Sequence, residues 1–299
     1  PGPDWMQKMH VVVDSAKRLG MTIFMQAGYM PEAVLDLPPE YVLKMVRAFP
    51  AGQGEGERLC THSGLDYCLI SSQNILDMLD PDASKFYVLQ SYERMWAEFR
   101  SEFGKTITSV WVDEPSYGRA DLPWTHGLPD AYRAIWGEEF PIDRVYLLFE
   151  DGDGAARLRY RYWRTVLHLI TSSYFQSVRD WCNKNGVMFS GHLMGEDTME
   201  LQMRTTCFTM PCYKYFDLPG IDNLEAALDW QHGKIKPKKE KHFHWRHYGG
   251  YNTPIQCASA CHQVGKTQIL AEMYGVSTDN LNFRDQKAIF DHFASLGIS

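Results

Sequence analysis

The sequence predicts an α/β barrel of the (β/α)8 type, because apolar runs of strand length alternate with amphipathic segments of helix length along its 299 residues. A second observation is length, since such a barrel takes about 250 residues plus insertions. The third is that two apolar runs end abruptly in carboxylates, at Asp113-Glu114 and at Glu272. A doubly wound nucleotide-binding sheet is the alternative, but Gly52, Gly54 and Gly56 neither follow a strand nor open a helix.

The helices are predicted from apolar residues at helical spacing, supported by stops such as Gly20 and by the Asp80-Pro81 start. They cover residues 4–19, 39–48, 81–103, 129–136, 154–184, 199–206, 253–264 and 284–296. Short apolar runs predict six strands, at 21–26, 67–70, 107–112, 187–190, 210–216 and 267–272. Strands that alternate with helices predict a parallel sheet with right-handed crossovers.

Six strands fall short of eight, although Gly297-Ile298-Ser299 has the character of a strand that is just beginning. We therefore expect a barrel truncated at both ends, without its first strand and most of its last. Residues 1–299 are predicted to form a single domain with loop insertions near 30–66 and 230–252. The segment Pro1–Trp5 has no charged or apolar leader pattern, so the compartment stays open.

Composition excludes several classes of partner. The net charge of −7 does not attract nucleic acid or an anionic membrane, and no apolar run approaches the 18 or so residues of a membrane span. The seven cysteines are odd in number and lack the compact spacing of a disulfide scaffold, so we expect most of them to be buried thiols.

The acidic strand ends carry the chemical prediction. Catalytic residues of α/β barrels lie at the carboxyl ends of strands, and cleavage of a glycosidic bond needs an opposed pair of carboxyl groups. Glu114 and Glu272 fit these roles, with Glu114 as general acid and Glu272 as the opposing carboxylate. Each could instead cap a loop or pair with an arginine.

Further polar residues follow other apolar runs. Glu196 is a third catalytic candidate, or else part of the acidic first turn of the helix at 199–206. His192 could hydrogen-bond a sugar hydroxyl or orient a carboxylate, and Asp222 could bind hydroxyls or calcium or simply form a Pro-Gly turn. Asp113, Tyr274 and Trp111 complete the predicted substrate contacts.

A zinc site is a weaker hypothesis. In the segment His242-Phe-His244-Trp-Arg-His247, alternating histidines on one face of a strand could bind zinc, but no carboxylate or cysteine stands at a familiar spacing beside them. The surrounding lysines are typical of a solvated loop, so we predict no metal site there.

Five segments together resemble bacterial barrel glycoside hydrolases, and most of all the family 106 α-L-rhamnosidase group and its uncharacterised relatives. They are WVDEPSYG (111–118), the helix at 159–187, SGHLMGED (190–197), DLPGIDNL (217–224) and ILAEMYGVS (269–277). The resemblance implies a catalytic barrel inside a larger multidomain protein and inverting, calcium-assisted hydrolysis, with Glu114, Glu196 and Glu272 at the acidic positions. The chain departs from the group at Gln26, where an acidic strand end is usual, and in a short 30–66 region.

These observations predict a glycoside hydrolase whose partner is a carbohydrate, with no nucleic acid or membrane partner and with other domains of the same full-length protein beside it. Two alternatives stay open. A carbohydrate-binding barrel without catalysis would keep the rings of Trp111, Trp124 and Tyr274. A metal-dependent barrel hydrolase would need His192, Asp113 and Asp222 to converge on one ion.

Overall fold

The computed structural model describes residues 2–26, 36–118, 122–223, 246–274 and 281–299. Its helices are α1 (Pro3–Leu19), α2 (Pro81–Val88), α3 (Arg94–Phe99), α4 (Leu128–Trp136), α5 (Ala155–Ile170), α6 (Gln176–Lys184), α7 (Met199–Thr205), α8 (Thr209–Tyr213), α9 (Arg246–Gln263) and α10 (Phe283–Ser295). Its strands are β1 (Ile23–Gln26), β2 (Val42–Pro50), β3 (Glu57–His62), β4 (Leu65–Leu76), β5 (Ile107–Val112), β6 (Pro123–Trp124), β7 (Met188–Gly191), β8 (Leu218–Asn223) and β9 (Leu270–Met273).

The central sheet is parallel and runs in the order β1-β5-β7-β8-β9. It curls into a half-barrel with helices between the strands, which is consistent with part of a (β/α)8 barrel. The strands are in register near their carboxyl ends, where Val112 pairs with Gly191 and Asp222 pairs with Glu272. The polar residues at these ends therefore share one edge of the sheet.

Strand β5 lies between β1 and β7 and is buried at most of its positions. Such near-continuous apolar strands are typical of parallel sheets that are covered on both faces. Its one fully buried hydroxyl, Ser109, is hydrogen-bonded to Ser190 in β7 at 2.6 Å, so these two buried hydroxyls are paired. Helix α6 packs against β7, and α2 packs in turn against α6.

A second sheet lies where the sequence predicted a helix at 39–48. That prediction is wrong, because residues 42–50 form β2, which pairs antiparallel with β4 and β6 in the order β3-β4-β2-β6. The predicted strand 67–70 belongs to β4 and so contributes nothing to the parallel sheet. Pairing with a distant strand decides the secondary structure of such short apolar segments, since local propensity alone is a weak guide to it.

The predicted strand at 210–216 is also wrong. Residues 209–213 form the short helix α8, and the strand is β8, which contains Pro219. Pro219 argues against a strand because it lacks an N–H donor, yet it lies in the short pairing of β8 with β7, opposite Gly191. The segment that the sequence assigned to a turn is therefore a strand of the parallel sheet, and this places Asp222 at its end.

The two long predicted helices are each divided by a π-helical turn. Residues 89–93 separate α2 from α3, and residues 171–175 separate α5 from α6. Buried tyrosines lie at these turns, with Tyr87 against Tyr92 and Tyr174. None of the helices in the described ranges is long and apolar enough to span a membrane.

The cysteine prediction is confirmed, because all seven cysteines are free thiols and six of them are buried. Residues 297–299 form no strand, although the backbone N–H of Ser299 donates to the carbonyl of Ile269 at 3.2 Å.

Asp77 provides a test of stability against pH. It is 4% exposed at the end of β4, and burial raises the pKa of its carboxyl from 3.8 to about 7. The folded state therefore holds this proton more tightly than the unfolded chain does. The contribution to stability is complete below about pH 4 and is lost as the pH rises through 7.

Between pH 5 and pH 8, we expect the melting temperature of the Asp77→Asn variant to decrease less than that of the wild type, because the amide does not ionise. The amide oxygen can still accept the hydrogen bond from Leu79 N (3.1 Å). Thermal unfolding at both pH values measures the effect. Equal losses in the two proteins would contradict the assignment.

Candidate active site

Side chains from four neighbouring strands converge at the carboxyl edge of the parallel sheet. Asp113 and Glu114 directly follow β5, His192 directly follows β7, Asp222 lies near the end of β8 and Glu272 lies in β9. Parallel strands end at a common edge, so residues that are far apart in the sequence meet there. These five residues, called the carboxylate cluster below, include both residues of the predicted catalytic pair.

His192 is the buried centre of the cluster, with 1% of its surface exposed. Its Nε2 lies 3.0 Å from Asp113 Oδ1, and its Nδ1 lies 3.8 Å from Glu272 Oε2. The Trp111 ring packs edge-on against the imidazole at a centroid distance of 5.4 Å. Burial lowers the pKa of His192, although Asp113 opposes this. A neutral imidazole that donates from Nε2 to Asp113 leaves the buried Nδ1 as an acceptor, and Nδ1 has no hydrogen-bond partner among the described residues.

The backbone at the strand exits is held in unusual conformations. Glu114 has a φ of 45° and Tyr274 has a φ of 69°, values that side chains with a Cβ rarely adopt. At Gly191 (φ 149°), a Cβ would lie 2.2 Å from the carbonyl oxygen of Val112, so only glycine allows β5 and β7 to approach this closely. Strain of this kind is common at functional sites.

The pKa of Asp222 is strongly raised. Burial, followed by the neighbouring negative charges, raises its pKa to about 7; those charges belong to Glu272, Glu114, Asp197 and Asp113. Its Oδ1 is buried and has no hydrogen-bond partner in the described part of the chain. Asp222 therefore holds a proton up to about neutral pH while keeping an oxygen free.

Glu272 is more accessible than Asp222, with 47% of its side chain exposed. Its pKa is also raised, by burial and by the charge of Asp113. Its position in β9 directly opposite Asp222 puts a solvent-facing carboxyl beside a protonated one. The cluster thus places a buried carboxyl with a raised pKa beside a second, more exposed carboxyl, and glycosidic cleavage uses a pair of carboxyl groups.

Gln26 explains one departure from the resemblance. It ends β1 opposite Trp111, and its amide Nε2 donates to Asp113 Oδ2 at 3.2 Å. Asp113 is therefore held from both sides, by Gln26 and by His192. An acid in place of Gln26 would put two carboxylates in contact, whereas the amide supplies a donor.

Two overlapping donor sets in the described residues could hold a metal ion. One consists of Asp113, His192 and Glu272 and the other of Glu114, His192 and Asp222, and within each set one donor atom per residue lies within 4.8 Å of the others. Both sets contain the orphaned imidazole of His192. Calcium takes six to eight oxygen ligands, so a set with an imidazole nitrogen suits a metal such as zinc better than calcium.

Glu196 lies beneath the cluster. It is 3% exposed, in the loop between β7 and α7. The two oxygens of its carboxyl group accept hydrogen bonds from the Tyr213 hydroxyl (2.7 Å), Leu193 N (3.2 Å) and Asp222 N (2.9 Å). Burial raises the pKa of Glu196 to about 8 against the effect of these donors.

The predicted aromatic contacts are placed differently from one another. Trp111 lies in the cluster against His192, and Tyr274 follows β9 with its hydroxyl donating to Gln286 O in α10 at 2.9 Å. Trp124 is 3% exposed and packs against Phe140 beside the antiparallel sheet, so it is not available as a sugar platform. His242 and His244 lie outside the described residues, as does the side chain of His247.

Sequence reasoning missed two features of the site. Gln26 was noted only as a departure, yet it supports Asp113, and its place at the end of an apolar run could have indicated this. Asp222 was weighed against a turn, because Pro219 and Gly220 obscured the strand. Gly220 in fact lies in the strand, close to β7: a Cβ at this position would be 3.0 Å from the carbonyl oxygen of Gly191.

Comparisons with known proteins agree with this architecture. No protein-family model matches the chain. It is 26% identical over 136 residues to a protein of Formosa agariphila named "Putative beta-glucuronidase". This match covers 42% of this chain and 11% of that protein. Among solved structures, the β-amylase catalytic domain from Paenibacillus polymyxa matches with a TM-score of 0.59 at 11% identity, over 97% of this chain and 77% of that one.

A rhamnosidase from Novosphingobium sp. PP1Y matches with a TM-score of 0.51 at 14% identity, over 80% of this chain and 23% of that chain. At such low identity these two likenesses show the fold, an α/β half-barrel. The chain spans about a tenth of the length of the curated relative and about a quarter of the rhamnosidase.

Proposed function

We propose that this chain carries the active site of a glycoside hydrolase. The observation that supports it is the carboxylate cluster, in which four carboxyl groups surround a buried histidine at the carboxyl edge of a parallel half-barrel. Carboxylates gathered in this way repel one another, and stability alone gives no reason to bring them together. The rhamnosidase and the β-amylase that share the fold are both glycoside hydrolases by name.

In the proposed mechanism Asp222 is the proton donor. A general acid must be protonated at the working pH, and the pKa of Asp222 is about 7. Glu272, the more exposed carboxyl opposite it, acts as the base or nucleophile. Glu114, which the sequence suggested as the acid, supplies one of the negative charges that keep the proton on Asp222. Asp113 and His192 orient these groups, and Trp111 backs the imidazole.

The proposed substrates are glycosides, with α-L-rhamnosides first. The motif resemblance and the rhamnosidase neighbour favour them, whereas the curated relative makes β-D-glucuronides the second choice. A glucuronide adds a negative charge, which the carboxylate cluster would repel.

A panel of nitrophenyl glycosides that includes both sugars tests the proposal. We expect the wild type to turn over one of them, and the Asp222→Asn variant to lose that turnover. The matched control is Glu200→Gln, since Glu200 is an exposed residue on α7 that pairs with Arg204. A folded wild type that hydrolyses none of the glycosides would refute the proposal.

A metal-dependent hydrolase is the second candidate, because the buried Nδ1 of His192 is an unsatisfied nitrogen beside carboxylates. Removal of divalent ions with a chelator separates the two functions. Turnover that is unchanged after chelation supports the carboxyl mechanism. Turnover that is lost and then restored by zinc supports the metal site.

A further inference from the structure

We propose that Glu196 is a positioning residue, which acts through Asp222 and His192 and does not touch the substrate. The inference rests on the proposed function, since it concerns the same reaction. It is carried by three hydrogen bonds that one buried carboxyl accepts from three different segments of the chain.

The first two hydrogen bonds reach the residues that carry the cluster. Glu196 Oε2 accepts from the backbone N–H of Asp222 at 2.9 Å, and Oε1 accepts from the N–H of Leu193 at 3.2 Å. Leu193 directly follows His192. The carboxyl therefore ties the exit of β7 to the end of β8 and sets the separation between the imidazole and the Asp222 side chain.

The third hydrogen bond anchors the carboxyl itself. The buried hydroxyl of Tyr213, in α8, donates to Glu196 Oε1 at 2.7 Å. The backbone carbonyl of Glu196 is held as well, because Gln202 Nε2 donates to it at 2.8 Å. Gln202 also donates to Gln256 Oε1 at 2.7 Å, which connects α7 to α9.

Burial separates this role from catalysis. Glu196 is 3% exposed, whereas Glu272 has 47% of its side chain exposed. Both oxygens of Glu196 already accept hydrogen bonds from the protein. A carboxyl that is enclosed in this way cannot reach a sugar, but it can hold the groups that do, and loss of such a supporting contact commonly costs about 10- to 100-fold in activity.

The Glu196→Gln variant tests the proposal with little change of shape. The carboxamide has only one oxygen, so either Asp222 N or the Tyr213–Leu193 pair loses its acceptor and faces an N–H donor instead. We expect kcat on the best substrate to fall by about 30- to 100-fold while KM stays within about threefold. The Glu200→Gln control should retain wild-type values.

A double-mutant cycle separates positioning from an independent role. If Glu196 acts by positioning Asp222 and His192, the loss caused by the Glu196→Gln/Asp222→Asn double variant should be clearly smaller than the product of the two single losses on an activated aryl glycoside. Multiplied losses would overturn the proposal, as would a folded Glu196→Gln variant with the wild-type kcat. Absence of turnover by the wild type would instead refute the proposed function and this role together.

If Glu196→Gln does not fold, Tyr213→Phe provides a second test. It removes one donor to Glu196 and leaves the contact with Asp222 N in place. We expect kcat to fall by about three- to tenfold with KM unchanged, and an unchanged kcat in the folded variant would overturn the proposal.

Discussion

Replacement of Asp222 by asparagine is expected to lower kcat by about 10³-fold on glycosides with a poor leaving group, which is within the range for loss of a general acid. The amide preserves the shape of the side chain but carries no proton to donate. On a dinitrophenyl glycoside, whose leaving group needs no protonation, the same variant should lose about tenfold or less. Steady-state kinetics on the two substrates measures this difference.

The pH profile of the wild type provides an independent check. The acid must be protonated, so kcat/KM should fall as the pH rises through about 7, the pKa of Asp222. The Glu114→Gln variant removes a negative charge that raises this pKa, and its basic limb should therefore move to lower pH. An equal loss by Asp222→Asn on both leaving groups, or a limb that does not move, would contradict the assignment of the proton to Asp222.

Replacement of Glu272 by glutamine should lower kcat by about 10³- to 10⁴-fold on every substrate, whatever its leaving group. Glu272 is proposed to act on the sugar or on a water, and an amide can neither attack nor accept a proton. The residue is 47% exposed, so an isosteric change should leave the fold intact. Measurement of kcat on both leaving-group classes and of the melting temperature tests both statements.

The contrast between the two variants is the decisive control. Among the neighbouring charges, that of Glu272 raises the pKa of Asp222 most. Part of the effect of Glu272→Gln could therefore come from a lower pKa of Asp222. That indirect part would disappear on a dinitrophenyl glycoside or at low pH, whereas the loss of a nucleophile or base would persist. Recovery of Glu272→Gln under either condition would show that Glu272 is not the opposing carboxylate.

Much of the half-barrel could be predicted from local pattern. The strands at 107–112 and 187–190 were found within a residue or two, because apolar runs bounded by glycine and acidic residues are local features. The helices at 4–19, 129–136 and 284–296 were found for the same reason. Local patterns failed at 39–48 and 210–216, where pairing partners more than ten residues away or a short helical turn decided the structure.

The candidate site was predicted in part. Glu114, Glu272, Asp113 and His192 are brought together as their places after apolar runs predicted, because parallel strands deliver their carboxyl ends to one edge. Asp222 was predicted as a substrate contact, a metal ligand or part of a turn, but not as a proton donor, since Pro219 obscured its strand. The burial of Glu196 was not predicted either, because the sequence does not show which carboxyl is enclosed by Tyr213.

The sequence by itself determined that carboxylates follow apolar strands in an α/β chain, and hence the kind of chemistry to look for. Only the tertiary structure decided which carboxyls meet at the sheet edge, which of them has a raised pKa and which one is enclosed. The physical reason is that a pKa depends on burial and on nearby charges, and both come from strands that are distant in the chain. Asp222 owes its raised pKa to burial together with Glu272 and Glu114, which the folded sheet places around it.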